Sequence, residues 1–97
     1  MTELNLKNVS TGTWYLLHLA CSNVKTHKDR KAVLFLIKTL KHKFICGTCR
    51  QHFKDFIDKN PPEDYEDLLY WSWLAHDNAN RIANCKRISY NDFKKLY

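Results

Sequence analysis

With 97 residues and 44% hydrophobic content, the chain makes one small domain whose core alone gives marginal stability, so that a bound group or a second subunit adds materially. Two glycines, two adjacent prolines and 13% aromatic residues exclude a many-turned sheet and favour helices around an aromatic-rich core. The net charge of +6 is spread along the chain instead of being gathered on one element, which reads as a solvated basic surface and not as a nucleic-acid face.

Residues 1–9 show no periodicity and read as a loose lead-in to a single domain over 10–97. Met1-Thr2-Glu3-Leu4-Asn5 lacks the basic-then-apolar layout of a signal peptide, and no apolar run approaches the ~20 residues of a membrane span, so a cytoplasmic protein is expected. Ser10 or Thr11 caps a first helix, in which Trp14, Leu17, His18, Cys21 and Val24 recur at intervals of three and four, with Leu16 and Leu19 widening the apolar side. After a polar break at 25–28, Asp29-Arg30-Lys31 opens a second helix with Val33, Leu34, Ile37 and Leu40 as its stripe, flanked by Phe35 and Leu36. The spacing runs on to Phe44 and argues against a strand.

The third helix begins at Cys46-Gly47-Thr48-Cys49 and carries Cys49, Phe53, Phe56 and Ile57 on one stripe with His52 beside it. Asn60-Pro61-Pro62 ends it, because a residue before proline is pushed out of the helical region. Glu63-Asp64-Tyr65-Glu66-Asp67 concentrates acid in the first turn of the longest helix, which reaches about Asn84 through Leu68, Trp71, Ala75, Ala79 and Ile82. Trp73, His76 and Asn80 form a second strip along it, polar enough to serve as a ligand wall. Cys85-Lys86-Arg87 is a basic turn, and Ser89-Tyr90-Asn91-Asp92 resembles a capping box that opens a short fifth helix with Phe93 and Leu96. The expected fold is all-α: an antiparallel four-helix bundle with the fifth helix packed across it.

The chemistry concentrates at Cys46 and Cys49. Two thiols three residues apart meet where the chain enters a helix, and the unpaired N–H groups there favour thiolate over thiol, lowering a cysteine pKa from about 8.5 to roughly 3.5–7.5. Two readings follow. In one, Cys46, Cys49 and His52, with Cys85 or His42, bind zinc in a small helical adaptor, although the usual second ligand pair is missing. In the other the pair is a redox dithiol. Thioredoxin-like exchange lacks its βαβ context here, and haem attachment fails because Arg50, not His, follows Cys49. A dithiol that makes disulfides needs a two-electron acceptor, hence an organic redox cofactor, for which the aromatic content and the His76/Asn80 wall are suited.

Three blocks sharpen the second reading: Trp14-x-x-Leu17-His18, Cys46-x-x-Cys49-x-x-His52-Phe53 and Trp71-x4-His76-x-Asn78-x-Asn80. With them the chain resembles the FAD-linked sulfhydryl oxidases of the Erv/ALR type, and it is most similar to the compact members encoded by large cytoplasmic DNA viruses. The resemblance implies FAD in the mouth of the bundle, its isoalloxazine against the cysteine pair and its adenine near helices four and five. Trp14, His18, His52, Trp71, His76, Asn80 and Lys86 would contact or frame it, with Tyr90 near the adenine. It further implies a Cys46–Cys49 disulfide opened by a substrate thiolate at Cys46, with Cys49 passing electrons to flavin and oxygen leaving as hydrogen peroxide. The implied partners are a small thiol or thioredoxin-like relay protein and a second copy joined through helices one and two; a viral setting would be the host cytoplasm or the virion. The chain departs from the family pattern at Ser10-Thr11, where Gly-Arg is usual, at Ile45, where proline is common, and at Asp77 and Ala79, where Asn and Val are usual. Cys21 and Cys85 stand outside this chemistry, whether free, paired or bridging subunits.

Overall fold

The computed structural model describes the backbone of residues 6–44 and 47–97 and the side chains of 10–44 and 50–97. These residues form helices α1 (Leu6–Ser22), α2 (His27–Lys43), α3 (Gly47–Lys59), α4 (Leu68–Ile82) and α5 (Tyr90–Lys94), with a 3-10 turn at Pro62–Asp64. No strand occurs among the described residues. Helix α1 packs chiefly on α4, α4 on α3 and α3 on α2, while α2 touches α1 lightly and α5 lies on α4. No helix among the described residues is long and apolar enough to cross a membrane.

The helix boundaries follow local chemistry. Helix α1 starts at Leu6, so Ser10 and Thr11 are helical residues instead of caps and the lead-in does not extend to residue 9. Nothing between Leu6 and Thr11 breaks a helix, and extending one already nucleated downstream costs little. Helix α2 starts at His27, two residues ahead of Asp29, because Thr26 is its cap. Thr26 Oγ1 accepts from Asp29 N at 3.0 Å while the Asp29 carboxylate accepts from Thr26 N at 3.2 Å, a reciprocal capping box.

The acidic stretch after the prolines is not the first turn of α4. Glu63 and Asp64 belong to the 3-10 turn, and Asp67 caps α4 by accepting from Leu69 N and Tyr70 N at 3.0 and 3.2 Å. Arg30 fixes this connection, donating to the carbonyls of Tyr65 at 2.7 Å and of Glu63 and Glu66 at 3.3 Å. One guanidinium on α2 thereby holds the segment that leads into α4. At the other end α4 stops at Ile82, where Asn84 takes the left-handed conformation (φ 56°). Cys85 N donates to Asn80 O at 2.8 Å and Asn84 N to Arg81 O at 3.3 Å, the paired bonds of a Schellman cap with asparagine in glycine's usual place.

The core joins Trp14, Leu17 and Cys21 of α1 to Val33 and Ile37 of α2, Phe53 and Ile57 of α3, and Leu68, Trp71 and Ala75 of α4, with Phe44 closing the α2 end. The apolar faces of α1 and α2 are narrower than their sequences imply. Leu16 (65% exposed) and Phe35 (73% exposed) point outward, each about 200° around its helix from a core residue two positions away.

Candidate functional site

Trp14 stands between two cavities. One, of about 610 Å³ and open to solvent, lies where α1, α4 and the α5 end converge, and its lining includes Trp14, His18, Trp73, His76, Asn80 and Tyr97. The other, of about 740 Å³, lies between α3 and α4 and is lined by Trp14, His52, Phe53, Asn78, Ala79 and Ile82, among others. The helical period explains the division of labour on α4. Trp73, His76 and Asn80, at i, i+3 and i+7, share one face, whereas Asn78 and Ile82 are turned toward α3.

A line of polar contacts runs from the core to the first cavity. Ser72 Oγ donates to Leu69 O at 2.8 Å, His18 Nδ1 lies 2.9 Å from Ser72 Oγ, and His18 Nε2 lies 2.9 Å from His76 Nδ1. The His76 ring stacks on Trp14 with centroids 4.3 Å apart and planes 3° from parallel, making a flat face. Burial, then the neighbouring His76, pushes the His18 pKa down to about 3; burial lowers His76 to about 4. Both rings are therefore neutral across the physiological range.

Stability depends on pH through these two rings. Their folded pKa values lie below the unfolded value, so the unfolded chain binds more protons between them, and stability present above pH ~6.5 is lost as pH falls toward 4. Each ring kept neutral at pH 5 contributes a loss of about 2 kcal/mol relative to pH 7.5, on the order of 4 kcal/mol for the pair. Urea melts at the two pH values check this, and equal midpoints would refute the neutral pair. The carboxylates held below their usual range, Asp29, Asp58 and Asp77, act at lower pH and do not obscure this window.

The connection after α4 is fastened over the same cavity. Arg87 donates to both Asp77 oxygens, Nε to Oδ1 and Nη2 to Oδ2, each at 2.8 Å, and Trp73 Nε1 donates to Ile88 O at 2.9 Å. The Asp77 carboxyl is held below the usual carboxylate range by that Arg87 contact. An acid at position 77 is thus matched by a cation ten residues on.

Of the residues singled out by sequence, Trp14, His18, His76 and Asn80 meet at the first cavity and His52 lines the second. His18 is 1% exposed and reaches the cavity mainly through His76. Trp71 is fully buried and lines neither cavity; its indole N–H donates to Asn60 O at 2.8 Å. Lys86 is exposed and lines neither cavity. Tyr90 donates to Asp67 Oδ2 at 3.1 Å and packs beside Trp73, and burial followed by the Asp67 contact raises its pKa to about 12.

Cys46 lies outside the described residues. Cys49 is placed by its backbone in the first turn of α3, one turn before His52 and Phe53. Among the described residues no group of three or more His, Cys, Asp or Glu side chains is placed to hold a metal ion. Spacing and motif do not single out Ser72, Tyr97 or the Asp77–Arg87 pair. A serine between Trp71 and the other buried positions of α4 was the available signal, since a buried hydroxyl requires a partner.

The Erv1/Alr family profile matches residues 11–97. FAD-linked sulfhydryl oxidases of African swine fever virus, from a Kenyan pig isolate and a Malawian tick isolate, are each 30% identical over 89 residues, covering 87% of this chain and 75% of their own length. The FAD-linked sulfhydryl oxidase ERV1 of Arabidopsis thaliana is 27% identical, covering 91% of this chain and 56% of its own length. The matched span takes in both cavities, the histidine pair and the turn of α3 that carries Cys49, and on that evidence the chain belongs to the Erv1/Alr family.

Proposed function

We propose that this chain is an FAD-dependent sulfhydryl oxidase that forms disulfides in partner proteins, with Cys46 and Cys49 as its redox pair. The observation that supports this most is the position of α3. The turn that follows Cys49 supplies His52 and Phe53 to the wall of a cavity whose other side is Trp14. The side chains present fit the cofactor: two slots flanked by aromatic rings suit its two flat ring systems, and His52, Asn78, His76 and Asn80 offer polar atoms at their edges. Trp14, His52 and Asn78 would hold the isoalloxazine side, and His76, Asn80 and Trp73 the adenine side, with Trp71, His18 and Tyr90 supporting them from behind and Lys86 near the phosphates.

FAD, when bound, takes an electron pair from a dithiol and passes it to oxygen. The protein's part is thiol exchange. A substrate thiolate attacks Cys46 Sγ, a mixed disulfide forms, and Cys49 leaves as a thiolate stabilised by the N-terminus of α3. A second substrate thiol then displaces Cys46, completing the substrate disulfide and leaving the pair reduced. Reoxidation of the pair gives the balance of two thiols and one oxygen to one disulfide and one hydrogen peroxide.

The donor is a small thiol or thioredoxin-like relay protein, in the cytoplasm or a virion. A second copy joins through α1 and α2, whose outward Leu16 and Phe35 supply apolar surface for an isologous contact. The deciding experiment is purification followed by a visible spectrum and oxygen uptake with dithiothreitol. A yellow protein that releases FAD on denaturation and makes peroxide and disulfide in equal amounts is expected. A folded, colourless protein that takes up no added FAD would refute the assignment.

A further inference from the structure

The histidine pair carries more than a contact, because its protons have only one consistent arrangement. Ser72 has a single hydroxyl proton, and its oxygen sits 2.8 Å from the Leu69 carbonyl oxygen, which can only accept, so that proton is committed. Toward His18 the hydroxyl must then accept, and His18 Nδ1, 2.9 Å away, carries a hydrogen. In a neutral ring that leaves His18 Nε2 bare, so across the 2.9 Å contact His76 Nδ1 donates. His76 Nε2 is left as a lone pair.

The rest of the site agrees. No described residue bonds to His76 Nε2, and the ring it belongs to lines the first cavity. Cys21, packed against Ser72, is kept a neutral thiol by burial, which pushes its pKa up to about 12. It therefore has no thiolate with which to draw the Ser72 proton away from Leu69. Both histidines being neutral fits the low values given above.

We propose that Ser72 is a positioning residue for the cofactor: acting through His18, it fixes His76 as the Nδ1–H tautomer and presents Nε2 to the cavity as a pure acceptor. The atom of the cofactor seated there is consequently a donor, a hydroxyl, the adenine amino group or the flavin N3–H, and not a phosphate oxygen or a flavin carbonyl. The last step rests on the flavin reading above; the tautomers do not. Ser72 is wholly buried and lines neither cavity, so it reaches the first cavity through the two rings.

The test is nitrogen-15 NMR of histidine-labelled protein, with and without FAD, beside fluorescence titration of FAD. In the wild type both rings are expected as Nδ1–H, with His76 Nε2 unprotonated after FAD binds and shifted as an acceptor. Ser72→Ala keeps the shape but removes the acceptor. It should release both rings into mixed tautomers and weaken FAD binding by roughly threefold to tenfold, the worth of one hydrogen bond. Ser72→Thr, which restores a hydroxyl, should recover the single tautomer and the affinity. An Nε2–H or doubly protonated His76 in the wild type overturns the proposal, as does Ser72→Ala binding FAD as tightly as the wild type. If Ser72→Ala fails to fold, the wild-type spectrum still decides. A protein that takes up no FAD would sink the oxidase assignment, and the apoprotein's tautomers would still be read.

Discussion

Cys49→Ser is expected to abolish reduction of the bound flavin by dithiothreitol, lowering turnover by at least about a thousandfold, since a nucleophile removed from a covalent relay leaves no substitute path. The partner variant separates the roles of the two sulfurs. Cys46→Ser leaves Cys49 as a lone sulfur at the first turn of α3, where the helix N-terminus favours its thiolate, and it should give a long-wavelength absorption band from a thiolate lying against oxidised flavin. Oxygen uptake would fall as far as in Cys49→Ser, because no external thiol can then open a disulfide. Should Cys46→Ser sustain turnover while Cys49→Ser shows the band, the order of attack is reversed. Cys85→Ser is the control: this exposed thiol, on the connection after α4, plays no part in the relay, and turnover should be unchanged. Cys21 is a poorer control because it is buried against Ser72.

What could be read in advance followed the length scale of the signal. Trp14, Leu17, His18 and Cys21 declare one face of a helix by spacing alone, as do Trp73, His76 and Asn80, and both sets lie where that spacing puts them. Errors of boundary came from capping. Thr26, not Asp29, starts α2, and Asp67, not Glu63, starts α4, because one side-chain oxygen on a backbone N–H outweighs the general preference of a first turn for acid. Spacing separates Trp71, on the apolar stripe, from Trp73, on the strip with His76 and Asn80, whereas the family motif counts Trp71 among the residues that frame the cofactor. They sit two residues apart on α4, so one faces Phe53 and Phe56 of α3 while the other faces Tyr90 near the start of α5, and which neighbour is present is a tertiary fact. Ser72 and His18 are 54 residues apart, and the Asp77–Arg87 pair closes across a helix end. Such pairings follow from packing and leave no local trace. The assigned roles of Cys46 and Cys49 rest on the motif and on where α3 begins, since their side chains lie outside the described residues.

Trp71→Ala is expected to leave the domain close to unfolded at room temperature. The indole is fully buried between α3 and the rest of α4, its ring centroid 5.8 Å from Phe56 and 6.1 Å from Phe53, and such truncations cost about 3–5 kcal/mol. Its N–H also satisfies the Asn60 carbonyl, where the chain leaves α3 ahead of the two prolines, and losing that donor adds about 1 kcal/mol. A domain of this size holds only about 5–15 kcal/mol in total, and each kcal/mol moves Tm by about 4–8 °C, so a fall of at least about 15 °C should appear in a thermal melt. Two companion variants separate packing from the hydrogen bond and from the cofactor. Trp71→Phe refills most of the volume but leaves the Asn60 carbonyl unpaired, and it should cost about 1–3 kcal/mol. Trp73→Ala removes a half-buried ring from the wall of the first cavity and releases Ile88 O, so its larger effect should be on FAD affinity and its smaller one on the melt of the FAD-free protein. If Trp71→Ala instead melted like the wild type while losing its flavin, the indole would belong to the binding site and the division between core and wall on α4 would have to be redrawn.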